Sequence, residues 1–401
     1  MGFGIWSFGK SFDDLAIYLH WVPGVVTVRK LHFNCELSAK GLEILEMRPG
    51  RRLFNKCLLR PSDFKPSQDD LEVIGAFNPG AIATAEGVVI LVRVAEQTAE
   101  RRQGQTGFPR WDTKAGRVVT DWQNNGELDT VDVRVAKRKR DGLVRLTFTS
   151  HLRVVYSCDG RSIDSLKDSW FRPATEYEEF GIEDPRITRM GNTFYITYVA
   201  VSRHGAATAL ASTKDFKSFE RNGIIFCPEN KDVVLFPEKI AGQYYAFHRP
   251  NAATPFTKPE MWLASSPDLI HWGKHEPFLG GSETWDIGRV GAGTPPILTA
   301  KGWLEIYHGN SRRQEDAGIG TYSGGVLLLD SQDPRRILGA AGQIFVPETD
   351  YEREGFVPNV VFPTGIIEQG ETVLVYYGAA DTCAAVVEFS LREITELLTR
   401  T

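Results

Sequence analysis

Short apolar runs recur along the chain, each closed by a glycine, a proline or an acidic residue. Val88 to Val92, Leu143 to Phe148, Thr193 to Val201, Gln243 to Phe247, Trp303 to Tyr307 and Thr372 to Tyr377 are rich in β-branched and aromatic side chains. Such side chains suit a pleated surface, and runs of this length bounded by turn residues predict strands. The 38 glycines and 21 prolines are spread along the chain rather than pooled in a linker, so the connections are many and tight. The pattern predicts an all-β protein with helix only at the termini. Helical spacing is clearest at Leu391 to Thr399, where leucines recur behind Ser390 as a candidate cap.

Repeats sharpen this picture. One element, a proline or acidic turn leading into a strand, appears at Asn78-Pro79-Gly80, Asp132-Val133-Arg134, Asp184-Pro185-Arg186, Phe236-Pro237-Glu238, Pro295-Pro296 and Phe362-Pro363. A second lies out of phase at Ser157-Cys158-Asp159-Gly160, Ser212 to Phe216 and Ser265 to Leu269. The period of about 50–60 residues suits one four-stranded blade of a β-propeller. The first element counts six copies and the second fewer, which leaves five or six blades open. In a propeller the inner strands and their loops line a shared pocket, so the repeat motifs are its expected lining.

Composition narrows the partners. Of 401 residues, 42% are apolar and 24% charged, enough for a large core and too apolar for disorder. A formal charge of −5 argues against nucleic acid or an anionic membrane as partner. The best apolar stretch, Leu15 to Val28, follows Asp13 and Asp14 and is broken by His20, Pro23 and Gly24. Neither a membrane span nor a signal peptide is expected there, and a cytoplasmic location is. Cys35, Cys57, Cys158, Cys227 and Cys383 are widely spaced with no CxxC, which suits neither a disulfide framework nor a structural zinc site.

Three stretches carry candidate chemistry. Gly181 to Arg186 sets Glu183, Asp184 and Arg186 at the head of an apolar strand. Strand alternation sends the two acids to opposite sides, so only one faces a channel; a turn capped by Asp184 and paired to Arg186 is the plainer alternative. Lys231 to Lys239, followed by His248-Arg249-Pro250, sets a carboxylate and a His-Arg pair on one hairpin. A carboxylate would activate water for hydrolysis, whereas cations would hold phosphate for phosphorolysis; a solvated ion-pair hairpin is the alternative. Ser282 to Asp286 leads into Gly291-Ala292-Gly293-Thr294-Pro295-Pro296. Trp285 is placed to stack on a sugar face, the glycines read as tight turns, and no GxGxxG opens a helix for a dinucleotide. Tyr307-His308-Gly309 and the other aromatic clusters read mainly as packing, and the histidines lack metal-ligand spacing.

In order from Phe77 to Asp381, these motifs resemble those of glycoside hydrolase family 130, the β-mannoside phosphorylases and β-1,2-mannosidases. Phe77-Asn78-Pro79-Gly80, Leu91-Val92-Arg93, Gly181 to Arg186, Asp232 to Lys239, His248-Arg249-Pro250, Ser266 to Trp272, Gly291 to Pro296, Tyr307-His308-Gly309 and Val360 to Gly365 carry the resemblance. It implies a five-bladed β-propeller over residues 61–390, with residues 1–60 as an N-terminal extension and 391–401 as a C-terminal helix. It also implies inverting cleavage of β-mannosides. Asp184 would be the general acid, acting through a mannose hydroxyl while phosphate attacks the opposite face to give α-mannose 1-phosphate. Asn78, Arg93, Asp132, Arg186, Tyr307 and Asp381 would contact substrate beside Trp285, and Arg93, Arg203, Lys239, His248 and Arg249 would bind phosphate. The family's hydrolases use two glutamates instead, for which Glu238 and Glu283 are the candidates. The well-populated cationic set favours phosphorolysis, with hydrolysis or a non-catalytic glycan-binding propeller as alternatives. No metal or organic cofactor is implied, inorganic phosphate being a co-substrate, and the family is compatible with a homo-oligomer.

Overall fold

The apolar runs pair as antiparallel hairpins, and the hairpins assemble into five sheets of four or more strands among the described residues. The computed structural model describes residues 50–251, 257–282, 284–313, 316 and 318–398, with the backbone of three short strands, Tyr18–Val22, Val25–Arg29 and Leu45–Glu46. Sheet I joins Leu71–Thr84, Gly87–Thr98, Thr149–Ser157 and Ser165–Phe171 in that order. Sheet II joins Gly181–Met190, Thr193–Ser202, Gly205–Thr213 and Glu220–Phe226. Sheet III joins Asn230–Leu235, Tyr244–Pro250, Met261–Ser266 and Gly273–Leu279. Sheet IV joins Arg289–Gly291, Gly302–Asn310, Tyr322–Leu329 and Ile337–Phe345, with Ile297–Thr299 also against its second strand and Leu45–Glu46 parallel to its fourth. Sheet V joins Val361–Gln369, Thr372–Ala379 and Cys383–Ser390, and is completed by Phe54–Leu59.

The inner strands read as unbroken apolar runs because both faces are covered. Every residue from Val88 to Ala95 is buried. Leu91 and Val154 of sheet I pack against Ile187 and Ile196 of sheet II, and Leu210 of sheet II against Val233 and Leu235 of sheet III. Phe236 and Phe247 of sheet III meet Trp303 and Leu327 of sheet IV, whose Ile306 and Val326 meet Val373 and Val375 of sheet V. Leu374 and Val386 of sheet V then pack against Ile90 and Val92 of sheet I. Each such buried aliphatic side chain contributes about 1.5–3 kcal/mol, so the five interfaces dominate stability.

One backbone device recurs at the start of these sheets. The pairing register slips between Phe77 and Gly80, between Glu183 and Arg186, and between Lys231 and Val234. At each slip the second residue, Asn78, Asp184 or Asp232, adopts a left-handed backbone with φ of 47°, 52° and 57°. Asn and Asp tolerate that region better than other side-chain-bearing residues, which is why these types stand there. The second sequence repeat is a different device, the turn between third and fourth strands of sheets I to III. In each, one carboxylate oxygen of Asp159, Asp215 or Asp268 accepts from two backbone N–H groups at 2.8–2.9 Å.

Several sequence expectations are corrected. Asp132-Val133-Arg134 does not open a sheet of the main series. It belongs to a small sheet, Leu128–Thr130, Val135–Arg138 and Val144–Leu146, inserted between the second and third strands of sheet I together with the hairpin Gln105–Asp112 and Arg117–Asn124. Phe236-Pro237-Glu238 lies at the outer turn of sheet III, four residues beyond its slip. Phe54–Leu59, counted in an N-terminal extension, is a strand of sheet V. Leu391–Leu397 is helical and Ser390 Oγ caps it by accepting from Glu393 N at 3.2 Å, whereas the described N-terminal elements are strands and a short helix at Asp350–Arg353 was not foreseen. Residues 44–401 form one compact unit and residues 1–43 another. Among the described residues no helix is long and apolar enough to cross a membrane.

Candidate active site

The slipped strand starts converge on a cavity of about 250 Å3. Sheet I supplies Asn78 and Arg93, sheet II Glu183 and Asp184, and sheet III Lys231, Asp232 and Arg249. Arg289 and Tyr322 of sheet IV, Asp381 from the turn Ala380–Thr382 of sheet V, Arg134 of the inserted sheet and Asn251 complete the polar lining. Because Asp184 sits at the slip, alternation breaks and Glu183 and Asp184 both face inward. Arg93 binds them together, Nη2 donating to Glu183 Oε1 at 2.8 Å and Nη1 to Asp184 Oδ1 at 2.9 Å. Its guanidinium is fixed over Phe77, 4.6 Å from the ring centroid. Asn78 Nδ2 donates to the same Asp184 Oδ1 at 2.7 Å, so Oδ2 has no hydrogen bond among the described residues.

The charges are unevenly balanced. Five cations, Arg93, Arg134, Lys231, Arg249 and Arg289, line the cavity against four carboxyl groups, Glu183, Asp184, Asp232 and Asp381. Burial pushes Asp184 up, but Arg93, the Asn78 hydrogen bond, Arg186 and Lys231 outweigh it and hold this carboxyl below its usual range. Burial lifts Asp381 to about 6 against the pull of Arg134 and Arg93, with Asp184 and Glu183 adding repulsion. Arg249 Nη1 and Arg289 Nε are buried with no partner among the described residues. A buried N–H left unpaired is costly, so both arginines of the cavity wall keep unused hydrogen-bonding capacity. A larger groove of about 910 Å3 adjoins the cavity, sharing Val135, Leu146, Val201, Lys231 and Asn251 with it.

Of the residues singled out from sequence, Asn78, Arg93, Asp184, Arg249 and Asp381 line the cavity. Asp132 stands one step back, accepting from Arg134 Nη2 at 3.0 Å, while Arg134 Nη1 lies 3.8 Å from Asp381 Oδ2. Arg186 is 1% exposed and turned toward the backbone carbonyls of Ala292 and Gly293 and the Asp232 carboxylate, not into the cavity. Trp285 and Tyr307 are core residues between sheets III and IV, with ring centroids 5.7 Å apart. A Cβ at Gly309 or Gly325 would collide with these rings, which shows why they fill the core instead of meeting a ligand. Glu238 and Lys239 are exposed at the outer turn of sheet III, a strand length from Asp232, and Lys239 Nζ donates to Pro267 O at 3.1 Å. His248 is buried, with Nδ1 2.9 Å from Asn230 Nδ2; burial and the neighbouring His275 hold it down at about 3, so it is neutral and offers phosphate no charge. Arg203 lies in the adjoining groove, bound to Glu179 by two nitrogens at 2.6 and 2.9 Å. Glu283 lies outside the described residues.

Arg134 was expected only as part of its repeat motif; sequence reading missed Lys231, Asp232, Asn251, Arg289 and Tyr322 as lining, and the inward turn of Glu183. The signal was present for two of them. Phe77-Asn78, Glu183-Asp184 and Lys231-Asp232 occupy equivalent places at the three slips, a phase that proline alone does not mark.

Opposed charges delivered by strand ends to a small concave pocket define a small-molecule enzyme site rather than a macromolecular docking face. The chain belongs to glycoside hydrolase family 130: the family profile described as beta-1,4-mannooligosaccharide phosphorylase matches residues 144–400. It is 40% identical over 347 residues to a beta-1,2-mannobiose phosphorylase of Listeria innocua, covering 85% of this chain and 96% of that one. A solved structure of beta-1,2-mannobiose phosphorylase from Listeria innocua in complex with β-1,2-mannobiose, with the same identity and coverage, superposes with a TM-score of 0.79. A 1,2-beta-oligomannan phosphorylase of Thermoanaerobacter sp. is 36% identical over 252 residues, covering 62% of this chain and 81% of that protein.

Proposed function

We propose that this protein cleaves β-mannosides by phosphorolysis with inversion, releasing α-mannose 1-phosphate, with β-1,2-mannobiose the first substrate to try. One observation carries the choice of phosphate over water. Arg249 Nη1 and Arg289 Nε are buried and unpartnered among the described residues, in a cavity where cations outnumber carboxyl groups. Glu238, one of the two candidate hydrolytic glutamates, is exposed at the outer turn of sheet III and does not line that cavity. The names of the relatives support the same reading.

In this reaction a phosphate oxygen bonds C1 of mannose as the bond from C1 to the leaving oxygen breaks. Overall, the proton of HPO4²⁻ ends on the leaving sugar. Asp184, which Arg93 and Asn78 hold ionised through Oδ1, takes up a proton in the substrate complex and passes it on through a mannose hydroxyl at its open Oδ2. Lys231, Arg249 and Arg289 hold phosphate on the opposite face, bidentate contact suiting guanidinium to phosphate. The adjoining groove receives the leaving sugar. We read the five sheets as the blades of a five-bladed propeller, a reading supported by each sheet packing on the next and sheet V on sheet I. A product retained as a sugar phosphate suits the cytoplasm, the location we propose.

Product analysis on β-1,2- and β-1,4-mannobiose, with and without inorganic phosphate, tests this. Phosphate-dependent α-mannose 1-phosphate is expected. Free mannose released equally well without phosphate would overturn phosphorolysis in favour of hydrolysis, and binding without product would favour a glycan-binding propeller.

A further inference from the structure

At the cavity wall lies a buried cluster of charge of which the steps above use only Arg249. Arg186, Asp232, Arg249 and His308 come from sheets II, III and IV and are each 4% exposed or less. Asp232 Oδ2 accepts from Arg249 Nε at 2.6 Å and stands 3.4 Å from His308 Nε2. Its Oδ1 accepts from Arg186 Nη2 at 3.2 Å, and Arg186 Nε is anchored in turn on Gly293 O at 2.9 Å. Gly291 makes room for the cluster: a Cβ there would lie 2.8 Å from Asp232 Oδ2 and 2.7 Å from His308 Cε1. This is a different reason for that glycine than a tight turn.

We propose that Asp232 is a positioning residue for phosphate, holding Arg249 by its Nε so that the Nη edge of the guanidinium is presented to the cavity. Arg249 lines the cavity and its Nη1 has no partner among the described residues. A guanidinium clamped on one edge by a carboxylate offers the other edge to a second anion in a set geometry. Buried ion pairs contribute little net stability, because desolvation offsets the attraction. Four charged or titratable groups gathered from three sheets therefore point to a role in orientation. The inference rests on the phosphorolysis reading.

The test is steady-state kinetics on whichever mannobiose the wild-type enzyme phosphorolyses, varying phosphate and mannobiose separately. Asp232→Asn keeps the shape and removes the charge. It is expected to raise KM for phosphate about tenfold or more, while KM for mannobiose stays within about threefold. Gly291→Ala, which presses a methyl group on Asp232 and His308, should give the same split and serves if Asp232→Asn does not fold. An unchanged phosphate KM in a folded variant, or an equal rise in both KM values, would overturn the positioning role. A wild-type enzyme indifferent to phosphate would instead overturn phosphorolysis itself, so the two failures are distinguishable.

Discussion

Asp184 and Asp381 face one cavity yet are displaced in opposite directions. Asp184 is held below its usual range, chiefly by Arg93 against the opposing effect of burial, whereas burial lifts Asp381 to about 6. The sign of each effect on stability follows. The folded protein binds the Asp381 proton more tightly than the unfolded chain, so this residue's contribution is full below about pH 4 and is lost as pH rises toward 6. Asp184 contributes above the unfolded carboxylate pKa and loses that contribution on acidification. Thermal melts of Asp381→Asn and Asp184→Asn against wild type should therefore diverge. The Tm difference of Asp381→Asn should move in its favour, by a few degrees on the order of magnitude expected for 1 kcal/mol or more, as pH is raised from about 4 to 6.5. The difference for Asp184→Asn should move the other way, mainly as pH is raised to about 4 from below, and parallel pH profiles over the two windows would refute the opposed displacement. Turnover by Asp184→Asn should fall about 100-fold or more, the usual scale of a lost general acid.

At the scale of elements, the register slip decides what faces the cavity. Alternation located the strands but failed at Glu183-Asp184, because a slipped, left-handed residue breaks period-two geometry. Proline also misled the phase of sheet III, pointing to Phe236-Pro237-Glu238 and Lys239 when the slip lies at Lys231 and Asp232. Asn78 and Asp184 were legible because proline and slip coincide in sheets I and II, and Arg93 through the family resemblance carried by Leu91-Val92-Arg93. Trp285 was not, since its burial depends on the bare Cα of Gly309 in a distant strand, a contact that no local pattern displays; Tyr307 read as packing from its own cluster and as a substrate contact only through the resemblance. The phase can be checked directly. Lys231 lines the cavity 3.6 Å from Glu183 Oε2, while Lys239 is exposed at the outer turn. Lys231→Met should raise KM for phosphate about tenfold, the scale of one charge-assisted hydrogen bond. Lys239→Met should leave it unchanged; the reverse pattern would restore the proline phasing.

For the whole molecule, the last sheet is finished by a strand from near the other end of the chain, which makes residues 50–60 part of the fold. Phe54–Leu59 pairs antiparallel with Cys383–Ser390, setting Leu59 opposite Ala384 and Cys57 opposite Ala385. Arg52 Nη1 donates to the buried Glu352 Oε1 at 2.7 Å, and Arg60 Nη1 reaches Cys383 Sγ at 3.7 Å. Cys383 stands two residues after Asp381, so this strand also steadies the turn that brings a carboxyl to the cavity. Sequence alone could not place it, because pairing across more than 300 residues leaves no local trace. A chain beginning at residue 44, the start of the compact unit that holds the five sheets, serves as the reference. A chain beginning at residue 61 loses the burial of Leu59, about 1.5–3 kcal/mol, and exposes the edge of Cys383–Ser390 to aggregation. It should melt several degrees lower or precipitate, and any soluble fraction should show raised KM for mannobiose through the loosened Asp381 turn. Equal Tm and equal kinetics for the two truncations would mean that sheet V is complete with three strands.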